Sequence, residues 1–295
     1  MQVGAALLDL ARATGARSLF VVGTGKNVGK TVTMRALYAA AIARGLRVGV
    51  TSIGRDGEAI DIGSGAPKPR VFLRAQSVLA TARNVLPRSP ASEILGISEI
   101  ESAAGRIVFA RVQHDAYYEL VGPPTAAGIR SVVARLLDLA DYAIVDGAVD
   151  RIAALAGGDD AIVLACGASD AATPEASVDS VRGLIRLLNV ARVDVRAASI
   201  SIDGALTPTR AAELIAARER RQVVVRDPTR IALTGRAALH ALEHLDLRCE
   251  RPLRIVGITV ASIASEHFFE PREFARAVAD ATSLPVFDVY GGMAA

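Results

Sequence analysis

The stretch Ser18-Leu19-Phe20-Val21-Val22-Gly23-Thr24-Gly25-Lys26-Asn27-Val28-Gly29-Lys30-Thr31 decides how the rest of the chain is read. Its first part is a short apolar run that stops at glycine, the pattern of a buried strand. Over 31–44, Met34, Leu37, Tyr38 and Ile42 recur at helical spacing and Gly45 follows as a stop. The order is therefore strand, glycine loop, helix. Within the loop, Gly29-Lys30-Thr31 completes the pattern G-x-x-x-x-G-K-[ST], with Thr24 at the opening position and glycines on either side of it. Such a loop needs glycine for tight turns, a run of amides for phosphate oxygens, a lysine for the β- and γ-phosphates and a hydroxyl for Mg²⁺. The expected nucleotide-binding residues are Thr24, Gly25, Lys26, Asn27, Val28, Gly29, Lys30 and Thr31, with Lys30 also catalytic and Thr31 also a metal ligand. ATP with Mg²⁺ is the expected cofactor pair. The bland alternative is a strand-to-helix turn with an incidental Gly-Lys-Thr; the strand before it and the helix after it weigh against that.

Working outward, a helix is expected over 7–13 and a second strand over 47–53, followed by a polar, glycine-rich segment at 54–69. Residues 71–85 read as a helix. Strands are expected over 106–112 and 116–121, joined at Gln113-His114-Asp115 as a hairpin or as two neighbouring elements. Thr125, after Pro123 and Pro124, can cap a helix running to 139. Strands at 142–146, 161–166, 197–202, 222–225, 255–260 and 285–289 then alternate with helices at 174–188, 208–218, 236–245 and 271–282. Repeated strand–helix units with near-continuous apolar strands predict an α/β fold, a doubly wound and mostly parallel sheet flanked by helices. The chain reads as one domain over 1–295 with an inserted loop and helix region around 54–125.

Composition agrees. A chain of 295 residues that is 51% hydrophobic can bury a large core, and with 4% aromatics and no tryptophan that core must be aliphatic. The net charge of +3 is scattered instead of gathered into runs, which disfavours a nucleic-acid partner. Of 34 basic residues only Lys26, Lys30 and Lys68 are lysine. Two of the three lie in the loop, where a compact ammonium is not replaceable by a planar guanidinium. Cys166 and Cys249 have no metal-ligand or disulfide spacing. No apolar run approaches the ~20 residues of a membrane span, and the first residues lack the basic and apolar regions of a signal peptide. A cytoplasmic protein without a membrane role is expected.

A Mg²⁺-nucleotide site also needs a carboxylate at the end of a neighbouring strand. Tyr142-Ala143-Ile144-Val145-Asp146-Gly147-Ala148 has that form, making Asp146 the expected catalytic and metal-binding acid; Asp150 is a weaker candidate. An ordinary turn or capping aspartate is the alternative for each.

The loop 23–31 resembles the Gly-Thr-Asp-Thr-x-Val-Gly-Lys-Thr loop of dethiobiotin synthetase, down to threonine in the irregular opening position. The segment ending at Asp146 resembles that family's Val-Glu-Gly-Ala-Gly-Gly strand end, with aspartate in place of glutamate. The resemblance implies ATP, Mg²⁺, a parallel sheet and a homodimer, as in the wider group of MinD, ParA and nitrogenase iron-protein ATPases. It also implies that Asp56, just after the second strand and placed like the switch-segment acid of those ATPases, can activate water or bind Mg²⁺ through solvent; an ordinary turn is the alternative. Lys26 resembles the extra lysine of MinD-type loops, one residue short of their spacing. The chain departs from dethiobiotin synthetase in having Gly25-Lys26 for Asp-Thr and no lysine over 51–54, where that family handles a carbamate.

Weaker candidates are the turn at 122–128 as an anion site at a helix start, His114 with Asp115 and Tyr117 for acid–base work, and Asp203-Gly204 with Arg226-Asp227-Pro228-Thr229 at later strand ends. A structural cap explains the first equally well, a surface turn explains His114 better, and turn chemistry suffices for the last. Three functions stay open: a partner-coupled ATPase of switch or reactivating-factor type, an ATP-dependent ligase or kinase acting on a small carboxylate or carbamate, and a pure binding module without turnover.

Overall fold

In the computed structural model, residues 2–54, 70–87, 91–148, 160–264 and 267–290 are described. Helix α1 (Gln2–Ala13) leads into β1 (Ser18–Gly23), α2 (Lys30–Ala43) and β2 (Val48–Ser52). The strands β3 (Val71–Leu73), β4 (Val78–Ala82), β5 (Ser92–Ser102), β6 (Gly105–Val112) and β7 (Ala116–Tyr118) follow. Next come α3 (Ala126–Leu139), β8 (Tyr142–Ala148), β9 (Ala161–Gly167) and α4 (Pro174–Leu188). A unit of β10 (Ser199–Ser201), α5 (Pro208–Ala216), β11 (Gln222–Val225), α6 (Gly235–His244) and β12 (Leu247–Cys249) precedes β13 (Arg254–Ala261), α7 (Pro271–Thr282) and β14 (Val286–Asp288).

The main sheet has nine strands in the order β14-β13-β9-β1-β8-β2-β4-β6-β5. It is parallel from β14 through β4, and β6 and β5 extend that edge antiparallel. Alternation along β1 shows why helices cover both faces. Phe20 and Val22 point into a core with Ile129 and Leu136 of α3, Ile185 of α4 and Phe274 of α7. Leu19 and Val21 point the other way, into a core with Leu7 and Leu8 of α1 and Met34 and Leu37 of α2. Burying each such side chain contributes about 1.5–3 kcal/mol. This is the expected doubly wound α/β fold, and it places β1 at the centre with β8 and β9 on either side.

The helix starts follow from local chemistry. Thr125, Thr173 and Thr207 take extended backbone and accept hydrogen bonds from Gly128, Ala176 and Arg210, while Pro174, Pro208 and Pro271 fill first-turn positions that have no need of an amide proton.

Three expectations change. Residues 71–85 are not a helix: β3 and β4 flank a turn in which Gln76 adopts φ 72°. Leu79 and Ala80 alternate between the two faces of the main sheet, an assignment made by tertiary pairing and not by the run's own periodicity. The region around 54–125 is accordingly built of strands and loops in its described residues. Nor do β6 and β7 form a hairpin, because β6 pairs with β4 and β5 whereas β7 pairs with β3 in a separate two-stranded sheet. Finally β10, β11 and β12 do not join the main sheet but make a three-stranded parallel sheet with a core of its own, including Leu206, Leu214, Val223, Val225 and Ala241.

Candidate phosphate-binding site

The loop connects the end of β1 to the start of α2, and its shape is set by residues that admit few substitutes. Gly29, the residue before the helix, has φ 84°, a left-handed conformation that strains any side-chain-bearing residue. Gly29 supplies no side-chain cap, so the first amides of α2 face an N-terminal end suited to an anion. At Gly23 the constraint is close approach. A Cβ there would lie 2.4 Å from Lys30 Cδ and 2.8 Å from Val28 Cγ2. The stem of Lys30 therefore runs back over Gly23, and its ammonium donates to the Gly25 carbonyl. The lysine spans the loop it belongs to.

The loop's first half is fastened to the end of β9, a contact that sequence reasoning missed. The Thr24 amide donates to the Ala165 carbonyl at 2.9 Å and the Thr24 hydroxyl donates to Asp170 Oδ2. The same Oδ2 accepts the Gly167 amide at 3.0 Å, and Ser169 Oγ donates to the Lys26 carbonyl at 2.8 Å. A Cβ at Gly25 would meet Asp170 Oδ1 at 2.6 Å. Threonine at the opening position thus has a structural reason: its hydroxyl binds a carboxylate that an opening glycine could not reach. The only signal in the sequence was Asp170 a few residues past a strand end, which turn chemistry explains equally well. Burial raises the Asp170 carboxyl, against the opposing pull of the Thr24 hydroxyl, the Gly167 amide and the Lys30 charge.

Asp146 lies on β8, in register with Val21 of β1 on one side and Ser52 of β2 on the other. Its carbonyl accepts the Ile53 amide at 2.7 Å. Although the residue keeps some surface, loss of water around the carboxyl pushes it up to about 6, with Lys30 and the Gly147 amide pulling the other way. The structure therefore brings Lys30 within electrostatic reach of both Asp146 and Asp170. Asp56 and Asp150 lie outside the described residues. Among the described residues no group of three or more His, Cys, Asp or Glu could hold a metal by itself. A carboxylate deprived of water, with one lysine opposing the shift, suits a divalent cation shared with phosphate oxygens, the usual situation for Mg²⁺.

The weaker candidates separate. Asp115 is engaged structurally, accepting from Arg74 at 2.7 Å and from the Ala75 amide at 2.8 Å, and His114 is exposed beside it. Thr125 caps α3. Lys26 and Asn27 are exposed on the loop, Asn27 at φ 59°. Both cysteines are buried free thiols raised by desolvation, Cys249 to about 11. Asp203, Gly204, Arg226 and Arg230 gather at the second sheet, away from the loop in sequence and in fold. No helix among the described residues is long and apolar enough to cross a membrane.

Searches among curated proteins and among solved structures give no match. Residues 9–74 match the family model described as a domain of unknown function (DUF1611_C), P-loop domain, a span that contains β1, the loop, α2 and β2. With the parallel sheet and the loop geometry, this match makes the chain similar to P-loop NTPases in fold and in its phosphate-binding segment.

Proposed function

We propose that the chain binds Mg-ATP at the loop from Thr24 to Thr31 and hydrolyses it, with turnover coupled to a protein partner. The observation that carries this reading is the placement of Lys30: its stem crosses Gly23, its ammonium reaches the middle of the loop, and its charge acts on Asp146 at the adjacent strand end. Loop amides and the N-terminal end of α2 would take the β-phosphate, and Lys30 would neutralise charge on the β- and γ-oxygens. Thr31 and Asp146 are the residues that would hold Mg²⁺, which when bound offsets charge developing on the transferred phosphoryl group. Asp56 remains the proposed residue for activating water.

Hydrolysis is favoured over a synthetase reaction by the end of β2. There Thr51 donates to the Ala80 carbonyl at 2.9 Å and Ser52 to the Leu120 carbonyl at 2.9 Å. No lysine stands at 51–54 to receive a carbamate. The test is Mg²⁺-dependent phosphate release from ATP and from GTP, alone, with small carboxylic acids, and with cell extract. Release that extract accelerates and acids do not is the expected result. A wild-type protein that neither binds nor hydrolyses either nucleotide would remove the proposal, and stoichiometric acyl phosphate formation on one acid would replace it with the ligase or kinase reading.

A further inference from the structure

We propose a second ligand site, for an amino-acid-sized zwitterion, in the cleft at the carboxyl ends of β10 and β11. The loops that leave the carboxyl ends of these two parallel strands form its walls. The cleft measures about 480 Å³, within the usual range for small-molecule pockets, and is lined by Ser201, Asp203, Gly204, Arg226, Arg230 and Glu250.

The cleft gathers both signs of charge. Some exposed arginines elsewhere pair with a carboxylate: Arg44 with Asp9, Arg47 with Asp141, Arg74 with Asp115, Arg221 with Glu219. Arg226 and Arg230 form no ion pair among the described residues, and neither do Asp203 and Glu250, although all four line one cleft. Two guanidiniums and two carboxylates left unpaired around one cleft match a ligand that carries both signs. A polyphosphate would meet the two acids unfavourably, and a simple amine would meet the two arginines.

The turn that carries Arg230 is rigidly built. Asp227 begins it, 1% exposed, with Oδ1 accepting both the amide and the hydroxyl of Thr229 and Oδ2 buried with no partner among the described residues. Gly204 adds φ 85° at the end of β10, where a side chain would be strained and the backbone turns into the cleft wall. A carboxylate on the ligand would lie between Arg226 and Arg230, in the bidentate geometry guanidinium favours, and its ammonium toward Asp203 and Glu250.

The site shares no residue with the phosphate loop, so its test is independent of nucleotide binding. Each proteinogenic L-amino acid and its D enantiomer is screened singly for a thermal shift of the full chain, and hits are titrated by calorimetry. The 2-oxo acid, the decarboxylated amine and inorganic phosphate serve as comparison probes. The expected result is one site per chain for at least one amino acid, with each comparison probe roughly 10-fold or more weaker. Arg230→Gln and Asp203→Asn, shown folded by circular dichroism, should each weaken binding roughly 10- to 100-fold, while Lys30→Ala leaves it unchanged. Three results overturn the proposal: no amino acid binding, phosphate or the 2-oxo acid binding as tightly as the amino acid, or the hit surviving Arg230→Gln.

Discussion

Lys30 and Asp146 are opposed in what their removal should do to the folded protein. The Lys30 ammonium donates to the Gly25 carbonyl within the loop, so Lys30→Ala should leave the circular dichroism spectrum intact while raising the Kd for Mg-ATP by roughly 100-fold, read by calorimetry. Unchanged affinity would separate the loop from nucleotide binding altogether. Asp146 is different because its carboxyl is raised, from 3.8 to about 6, chiefly by burial. A raised acid binds its proton more tightly folded than unfolded. Its contribution to stability is therefore full below the unfolded value of 3.8 and is lost as pH climbs through about 6. In metal-free protein, Asp146→Asn should raise Tm at pH 7.5, where the wild type holds a poorly solvated charge, and make little difference at pH 4. The same variant should lower Mg²⁺-dependent turnover by about 100-fold. A substitution that stabilises the fold and removes the rate marks a residue kept for function. Asp146→Asn that hydrolyses ATP normally would return Asp146 to a structural role.

Between elements, the contact with most consequence is the fastening of the loop to the end of β9. Thr24 donates to Asp170, and Asp170 also accepts the Gly167 amide, so one carboxylate fixes both partners. Thr24→Val and Asp170→Asn should each raise KM for ATP more than they lower kcat, because they loosen the loop while keeping the phosphate-facing lysine in place. Their double-mutant cycle should give a coupling of about 1–2 kcal/mol in nucleotide binding. Additive effects would show that Asp170 does not position the loop through Thr24. How much of this was legible follows from range. Gly23, Gly29, Lys30 and the strand–helix order were readable because their reasons are local: φ 84° at Gly29, and a lysine stem lying where a side chain at Gly23 would go. Thr24 was legible as an anomaly, but its partner lies 146 residues away, and a single sequence does not reveal such a pairing. The same holds for β4, whose partners β2 and β6 flank it only after folding. The strands β5 and β12 escaped notice for separate reasons: β5 is a half-exposed edge with irregular pairing to β6, and β12 is three residues long.

Across the whole molecule the decisive feature is that the three-stranded sheet has a core separate from the two cores of the main sheet. The main sheet places β1, α2, β8 and β9 around the loop, and its two cores share their strands. The sheet β10-β11-β12 has a distinct core with α5 and α6, and meets the rest through α6 and the turn at Pro228–Arg230, which pack on α4. A ligand that binds only the folded loop stabilises whatever must unfold with that loop, by about 2.7 kcal/mol at a hundredfold excess over Kd. Amides of β1, β8 and β9 exchange only when the main sheet opens, so saturating Mg-ATP should slow them by roughly 100-fold. If the second sheet opens on its own, Val223, Val224 and Val225 of β11 should exchange at the same rate with and without nucleotide, and those of β12 likewise. Hydrogen exchange followed by mass spectrometry on peptides from β8 and β11 in one sample makes the comparison directly. Equal slowing in both peptides would mean that the contact with α4 binds the two sheets into a single cooperative unit, and slowing in neither would place the nucleotide elsewhere.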